Sequence, residues 1–169
     1  MTRGISQVVP VEIVDTLRFL LGEWEVGRVL TDHRLGESGV FRGTATVAPS
    51  ESGVPQGAQG AQGAQYRESG QLCFARYRGT ASRRLRYVRQ VDGAVAVNFD
   101  DGSRFVDCDL RSGRSDGTHL CRDDRYEISW QVHGPDVVVE EWRVRGPGKD
   151  YEARCVLRRM AEPAAARRN

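Results

Sequence analysis

At Glu23 the hydrophobic period of this chain changes from the three- and four-residue spacing of a helix to the alternation of a strand, and it does not change back. Before that point Ile13, Val14, Leu17, Leu20 and Leu21 recur at helical spacing, with Pro10 where a first-turn proline is tolerated and Gly22 ending the pattern. Such a helix carries one apolar stripe and has to lie against something. After it, Trp24, Val26, Arg28 and Leu30 alternate with Glu25, Gly27 and Val29, as in a strand with one solvated face. Alternation and turn residues predict strands over 23–31, 38–48, 65–76, 81–91, 94–99, 103–110, 124–133, 136–145 and 150–159. Asp92-Gly93, Asp101-Gly102, Gly134-Pro135 and Gly146-Pro147-Gly148 mark turns between them. About eight or nine antiparallel strands joined mostly by short turns point to a mainly β, up-and-down barrel with a short N-terminal helix, since closure removes exposed edges. A sandwich would need the same strands with longer crossing connections.

At 169 residues the chain suits a single domain over 1–169. Hydrophobic residues make up 39% and charged residues 28%, which is enough for a core and excludes a wholly disordered chain. A formal net charge of +2 argues against a nucleic-acid partner, whose binding needs concentrated positive charge. No apolar run approaches the roughly 20 residues that cross a bilayer, and Met1 to Val9 lacks the layout of a signal peptide. A cytoplasmic protein without a membrane partner is therefore expected. Cys73, Cys108, Cys121 and Cys155 lie apart in strand-like segments and read as free thiols in a reducing compartment. Three Gly-Ala-Gln copies from Gly57 to Gln65 mark 49–65 as a flexible loop, and 1–9 and 161–169 read as flexible ends.

The segment Leu20-Leu21-Gly22-Glu23-Trp24 leads from the helix into the first strand through a Gly-x-Trp, and it looks like the opening of calycin proteins, the lipocalin and fatty-acid-binding-protein type of barrel. Further segments carry the likeness along the chain: Phe41-Arg42-Gly43-Thr44-Ala45, Tyr66-Arg67-Glu68-Ser69-Gly70, Phe99 to Phe105, His119-Leu120-Cys121, Asp124-Arg125-Tyr126 and Trp142 to Tyr151. Together they resemble a family of small bacterial proteins of unknown function with a lipocalin-like barrel, over about Leu17 to Arg159. The Gly-Pro-x-Lys-Asp-Tyr and His-x-Cys segments are its most specific parts. The resemblance implies the barrel and no agreed reaction. The family pattern usually has a histidine after the phenylalanine of the sixth strand, where this chain has Val106 after Phe105.

In a barrel, chemistry belongs to inward polar groups, because a polar group taken out of water has to be paired. Tyr66 and Glu68 share a face with Leu72 and Phe74, so Glu68 points inward if that face is the interior. Desolvation would raise its carboxyl unless a cation sits nearby, and Arg83 or Arg89, on the face of Leu85 and Tyr87, qualifies. The plainer reading is a structural ion pair. His119 and Cys121 share one face of an extended segment, with Asp107 or Asp124 as further carboxylates, which suits a metal ligand, an acid/base histidine or a surface cap. Asp124 and Tyr126 face the same way as Ile128 and Trp130 and would orient a ligand carbonyl or hydroxyl, or tie a loop to a strand. Trp142 shares its side with Val138, Glu140 and Val144, and Trp24 is placed to close the barrel bottom; both are ligand walls or core packing. Lys149, the one lysine among 25 basic residues, follows a Gly-Pro-Gly turn and precedes Asp150 and Tyr151. It reads as a nucleophile, proton donor or anion contact, or as an ion pair fastening the turn. No phosphate-cradling loop, nucleophile elbow or dinucleotide fingerprint is present.

These features lead to a barrel that receives a small, partly apolar organic molecule, the small-molecule ligand or substrate, with no cofactor and no metal. His119, Glu68, Tyr126 and Asp124 are the candidate catalytic groups of a cofactor-independent isomerase, cyclase or dehydratase. Trp24, Tyr66, Arg83, Tyr87, Trp142, Lys149 and Tyr151 are the candidate ligand contacts. A carrier or sensor without chemistry is the alternative, and a haem or metal barrel a further one; homodimer formation stays open. An interaction module would instead pair a filled interior with an exposed apolar patch.

Overall fold

The computed structural model describes residues 11–50 and 63–161. Along them run α1 (Thr16–Leu20) and ten strands: β1 (Gly22–Asp32), β2 (Glu37–Ser50), β3 (Gly63–Phe74), β4 (Tyr77–Arg89), β5 (Val95–Phe99), β6 (Arg104–Cys108), β7 (Arg114–Cys121), β8 (Asp124–Val132), β9 (Val137–Arg145) and β10 (Asp150–Arg159). They form one antiparallel sheet in the order β6-β5-β4-β3-β2-β1-β10-β9-β8-β7. The first and last strands of that order meet through side chains, with the Phe105 and His119 rings 5.1 Å apart and the Asp109 N–H donating to Ser115 Oγ at 3.0 Å. The result is a nearly closed barrel with one seam that no strand ladder bridges.

Alternation places the core. Trp24, Val26, Phe41, Val47, Tyr66, Leu85, Val97, Ile128, Trp130, Val138 and Cys155 point inward and are buried. Each large apolar side chain so buried contributes about 1.5–3 kcal/mol. One inward pair is shaped by the backbone: Gly43 of β2 and Gly70 of β3 are register partners, and a Cβ on Gly43 would sit 2.2 Å from the Ser69 carbonyl oxygen. Only glycine lets β2 and β3 approach this closely where the sheet curls.

The structure corrects three expectations. Arg114–Cys121 is a tenth strand that alternation does not find, because polar residues occupy both of its faces and Gly117 interrupts it. The helix spans five residues rather than starting near Pro10, which lies outside the described residues. Asp15 starts it, accepting the Arg18 N–H at 2.9 Å and so satisfying a donor with no intrahelical partner; Val14, expected on its apolar stripe, is 79% exposed. Of the segment expected as a loop over 49–65, both ends are strand, since Pro49 and Ser50 pair with Ala64 and Gly63 in the β2–β3 ladder; 51–62 lie outside the described residues.

Helix α1 closes one end of the barrel. Leu17 and Ile13 are buried there, and Thr16 Oγ1 accepts the Leu110 N–H at 3.0 Å. The Trp24 indole N–H donates to the Leu20 carbonyl at 3.0 Å, and the Arg159 guanidinium, 4.2 Å over the Trp24 ring, donates to the Phe19 and Leu21 carbonyls at 2.6 and 2.7 Å. These bonds satisfy the helix's last carbonyls and fasten it to the strand wall. The opposite end carries the β1–β2, β3–β4, β5–β6, β7–β8 and β9–β10 turns and no helix.

A buried ionic network beneath an aromatic rim

Register assembles the centre of the barrel. Glu68 of β3 lies directly opposite Arg83 of β4, and Trp130 of β8 directly opposite Glu140 of β9. Arg28 of β1 reaches Glu68 across β2, where the inward residues Gly43 and Ala45 are small. Its two terminal nitrogens donate to the two Glu68 oxygens at 2.9 and 2.6 Å, a bidentate pair. The Tyr66 hydroxyl donates to Glu68 Oε2 at 2.5 Å. Arg83 Nη2 lies 3.4 Å from the same oxygen, 3.4 Å from the Tyr66 hydroxyl and 3.6 Å from Glu140 Oε1. Glu140 in turn accepts the indole N–H of Trp130 at 2.9 Å and that of Trp142.

Two guanidiniums and two carboxylates thus sit inside the barrel with balanced formal charge. Burial alone would push the Glu68 carboxyl up, but the Arg28 hydrogen bonds and the charges of Arg83 and Arg28 outweigh it and hold the group below its ordinary value. Glu68 is an ionised, fully engaged acceptor. Burial pushes the Tyr66 and Tyr87 phenols well above their ordinary values, so both keep their protons. The two rings stack at 5.8 Å. Burial also pushes the Cys155 thiol up to about 12, which makes it a poor nucleophile.

Above this network, toward the helix-free end, aromatic rings line the wall. Phe105 stacks on Trp142 at 5.3 Å and 23°. His119 lies edge-on to Phe105 and 5.7 Å from Phe99, and its ring is 6.0 Å from that of its register partner Tyr126. Lys149 Nζ donates to the Tyr126 hydroxyl and pairs with Asp124, both at 2.7 Å. Those two hydrogen bonds, Asp124 first, raise the ammonium above its ordinary value. Gly146 makes the arrangement possible, because a Cβ there would overlap Asp124 Oδ1. Tyr151 is half-buried beside this group, and burial raises its phenol.

The residues singled out in the sequence therefore fall in three places. Tyr66, Glu68 and Arg83 form the central network, to which Trp142 is joined through Glu140. His119, Asp124, Tyr126, Lys149 and Tyr151 stand at the rim. Trp24 lies under α1, and Tyr87 faces it across an enclosed cavity of about 20 Å³ that Tyr66, Trp130, Val138 and Glu140 also line. That is room for one water. Of the two cations proposed for Glu68, Arg83 is present and Arg89 is not, since Arg89 pairs with Asp15 at 2.5 Å. Asp107 accepts from Gln90 and Arg104 away from His119, Cys121 is exposed, and no group of three or more potential metal ligands occurs among the described residues. Arg28 is missed by the sequence reading, although it shares the alternation of Trp24 and Val26, and Glu140 enters it only as the carboxylate on the side of Trp142.

A wide depression of about 830 Å³ lies outside the barrel, over the outward faces of β1 and β7 to β10. Its charged residues have ion-pair partners within it, as in Arg154 with Glu141 at 3.3 Å, or just beside it, as in Asp116 with Arg114 at 3.0 Å, which is how a solvated exterior is built.

Comparison with known proteins places the chain. The model of a family of unknown function, DUF6314, matches residues 20–159, from the end of α1 through β10. The chain belongs to that family. Among solved structures it is similar to the S-type phycobiliprotein lyase CPES from Guillardia theta, at 10% identity and a TM-score of 0.64 over 87% of this chain and 92% of that one. Weaker likenesses are a redesigned β-barrel, mFAP0, bound to DFHBI (TM-score 0.40, 11% identity, 83% and 99% of the two chains), and a DUF3598-family protein of unknown function from Nostoc punctiforme (TM-score 0.48, 15% identity, 86% and 49%). No match was found among curated proteins. At these identities the likeness establishes the lipocalin-like barrel and nothing of its ligand. No helix among the described residues is long and apolar enough to cross a membrane.

Proposed function

We propose that this barrel binds a small, partly apolar organic molecule through its helix-free end, as a binding protein that leaves the molecule unchanged. The observation that carries the reading is Arg83, an inward guanidinium that keeps 25% of its side chain exposed while lying 5.3 Å from the ring centres of both Tyr66 and Trp142. A charge flanked by aromatic faces and still open to solvent suits recognition of a molecule with an apolar body and a polar end. The closed end does not compete, because its cavity holds about 20 Å³ and the side chains around it are buried. Binding is favoured over catalysis by Glu68, whose ionised oxygens are held by Arg28 and Tyr66 and whose carboxyl lies below its ordinary value, which makes it a weak base for a substrate proton.

A second reading keeps acid/base chemistry at the rim. His119 and Tyr126 are direct register partners, and Lys149 holds the Tyr126 hydroxyl, so an imidazole and a phenol stand side by side at the opening. Under that reading the bound molecule would be isomerised or dehydrated by proton transfer through His119.

Native mass spectrometry of the undenatured protein tests the first reading. The expected result is the chain with a non-covalent small-molecule adduct, lost in Trp142→Ala. A chain without adduct, whose melting temperature no member of a library of small aromatic and aliphatic compounds raises, would refute it. Turnover of a bound compound by the wild type that disappears in His119→Ala, with binding intact, would replace it by the second.

A further inference from the structure

We propose that the ligand is an aromatic carboxylate and that Arg83 receives its carboxylate group; this rests on the binding reading above and narrows it to a chemical class. The two guanidiniums inside the barrel differ in how far they are satisfied. Arg28 holds both Glu68 oxygens at 2.9 and 2.6 Å and is 13% exposed. Arg83 meets its partners only through Nη2, at 3.4 to 3.6 Å, and its buried Nε has no hydrogen-bond partner among the described residues. Its carboxylate neighbours are taken by better-placed donors, Glu68 by Arg28 and Tyr66, Glu140 by the Trp130 and Trp142 indoles.

A guanidinium presents five N–H groups in a planar fork, and a carboxylate matches two of them at once. Arg83 is therefore the looser of the two forks, the one that can turn toward an incoming carboxylate without breaking a short bond. A single negative charge fits better than a phosphate dianion, because Glu68 and Glu140 already stand beside the site and a second charge would add repulsion. Lys149 is not the anchor, since Asp124 and Tyr126 hold its ammonium at 2.7 Å each. The body of the ligand follows from the neighbouring rings: Trp142 beside Arg83 and His119 beside Tyr126 are half-buried aromatic surfaces toward the helix-free end, backed by the buried Phe105, which favours a planar ring over a flexible chain.

Titration calorimetry with three probes decides the matter: 2-naphthoate, its neutral amide 2-naphthamide, and octanoate. The wild type is expected to bind naphthoate about tenfold or more tightly than either of the others, the scale of one charge-assisted fork or one stacked ring. Arg83→Gln should remove the preference for naphthoate over naphthamide while changing naphthamide affinity less than about twofold. Arg83→Lys, which keeps the charge without the fork, should fall between. If Arg83→Gln does not fold, the three-probe comparison on the wild type together with Arg83→Lys still decides. Naphthamide binding as tightly as naphthoate, or full naphthoate affinity in the Arg83 variants, would overturn the carboxylate assignment, and octanoate binding better than both would overturn the aromatic ring; each leaves the binding reading standing. Failure of all three probes to bind at millimolar concentration would overturn both.

Discussion

The two ends of this barrel are cut from the same strands but satisfied in opposite ways. Under α1, Trp24, Leu17, Val95 and Leu110 are buried, and polar groups there have short partners, such as Thr16 for the Leu110 N–H and Asp15 for Arg89, although the buried Arg89 Nε has none among the described residues. At the helix-free end aromatic and charged side chains join apolar ones such as Val144 on the inward faces, and one cation is held by loose contacts only. A close-packed apolar region whose ions are held by short contacts supplies stability. A region whose inward cation has no contact shorter than 3.4 Å departs from that pattern, and such departures concentrate where a protein meets its ligand. Arg28 and Arg83 show the difference within a single network: the first holds both Glu68 oxygens at 2.9 and 2.6 Å, and the second meets its partners at 3.4 to 3.6 Å.

Substitutions can break or sharpen this contrast. The largest effect should come from Trp24→Ala, which empties a fully buried indole site under the helix and should cost about 4 kcal/mol in urea unfolding. A loss below about 1 kcal/mol would mean that the helix end is not the stable one. Glu68→Leu comes next, at about 3 kcal/mol, because it leaves Arg28 and Arg83 facing each other without a carboxylate.

The same residue sets an acid limit. The Glu68 carboxyl is held below its ordinary value in the folded protein, so its contribution is fully present above the ordinary value of 4.5 and is lost as pH falls through the depressed one. Stability of the wild type should therefore decline below about pH 4.5, and Glu68→Gln should flatten that decline. An equally steep acid profile in the variant would assign the effect to other groups.

Smaller effects separate the ends further. Thr16→Val removes the acceptor for the Leu110 N–H while keeping shape, and should cost about 1 kcal/mol by thermal unfolding. Lys149→Ala at the rim should change stability by less than about 1 kcal/mol, since its ammonium pairs with Asp124 where the lysine side chain is 41% exposed. A Lys149 effect larger than that of Thr16 would reverse the assignment of the two ends.

Most of the strand framework was legible because one face of each strand is apolar. β7 was not, since a strand at the seam with polar residues on both faces gives alternation nothing to detect. The helix was legible in its apolar spacing but not in its length, which Asp15 decides by capping rather than by hydrophobicity. At the site, inward-facing Glu68 and its partner Arg83 followed from the pattern, and so did the shared side of Glu140 and Trp142. Arg28 sat on the same pattern, but its partner depends on the small Gly43 and Ala45 that let two side chains meet across β2, and on a register that sequence periodicity does not set. Arg89 was a plausible alternative until α1 placed Asp15 beside it.

The central claim is that ligand enters at the aromatic rim and ends at Arg83. A crystal structure of the protein with 2-naphthoate tests it directly. The account predicts the carboxylate within about 3.2 Å of the Arg83 guanidinium, the upper range of N–H···O bonds, with the ring against Trp142 and Phe105. The compound found instead in the outer depression over β7 to β10, or beneath α1, would contradict it.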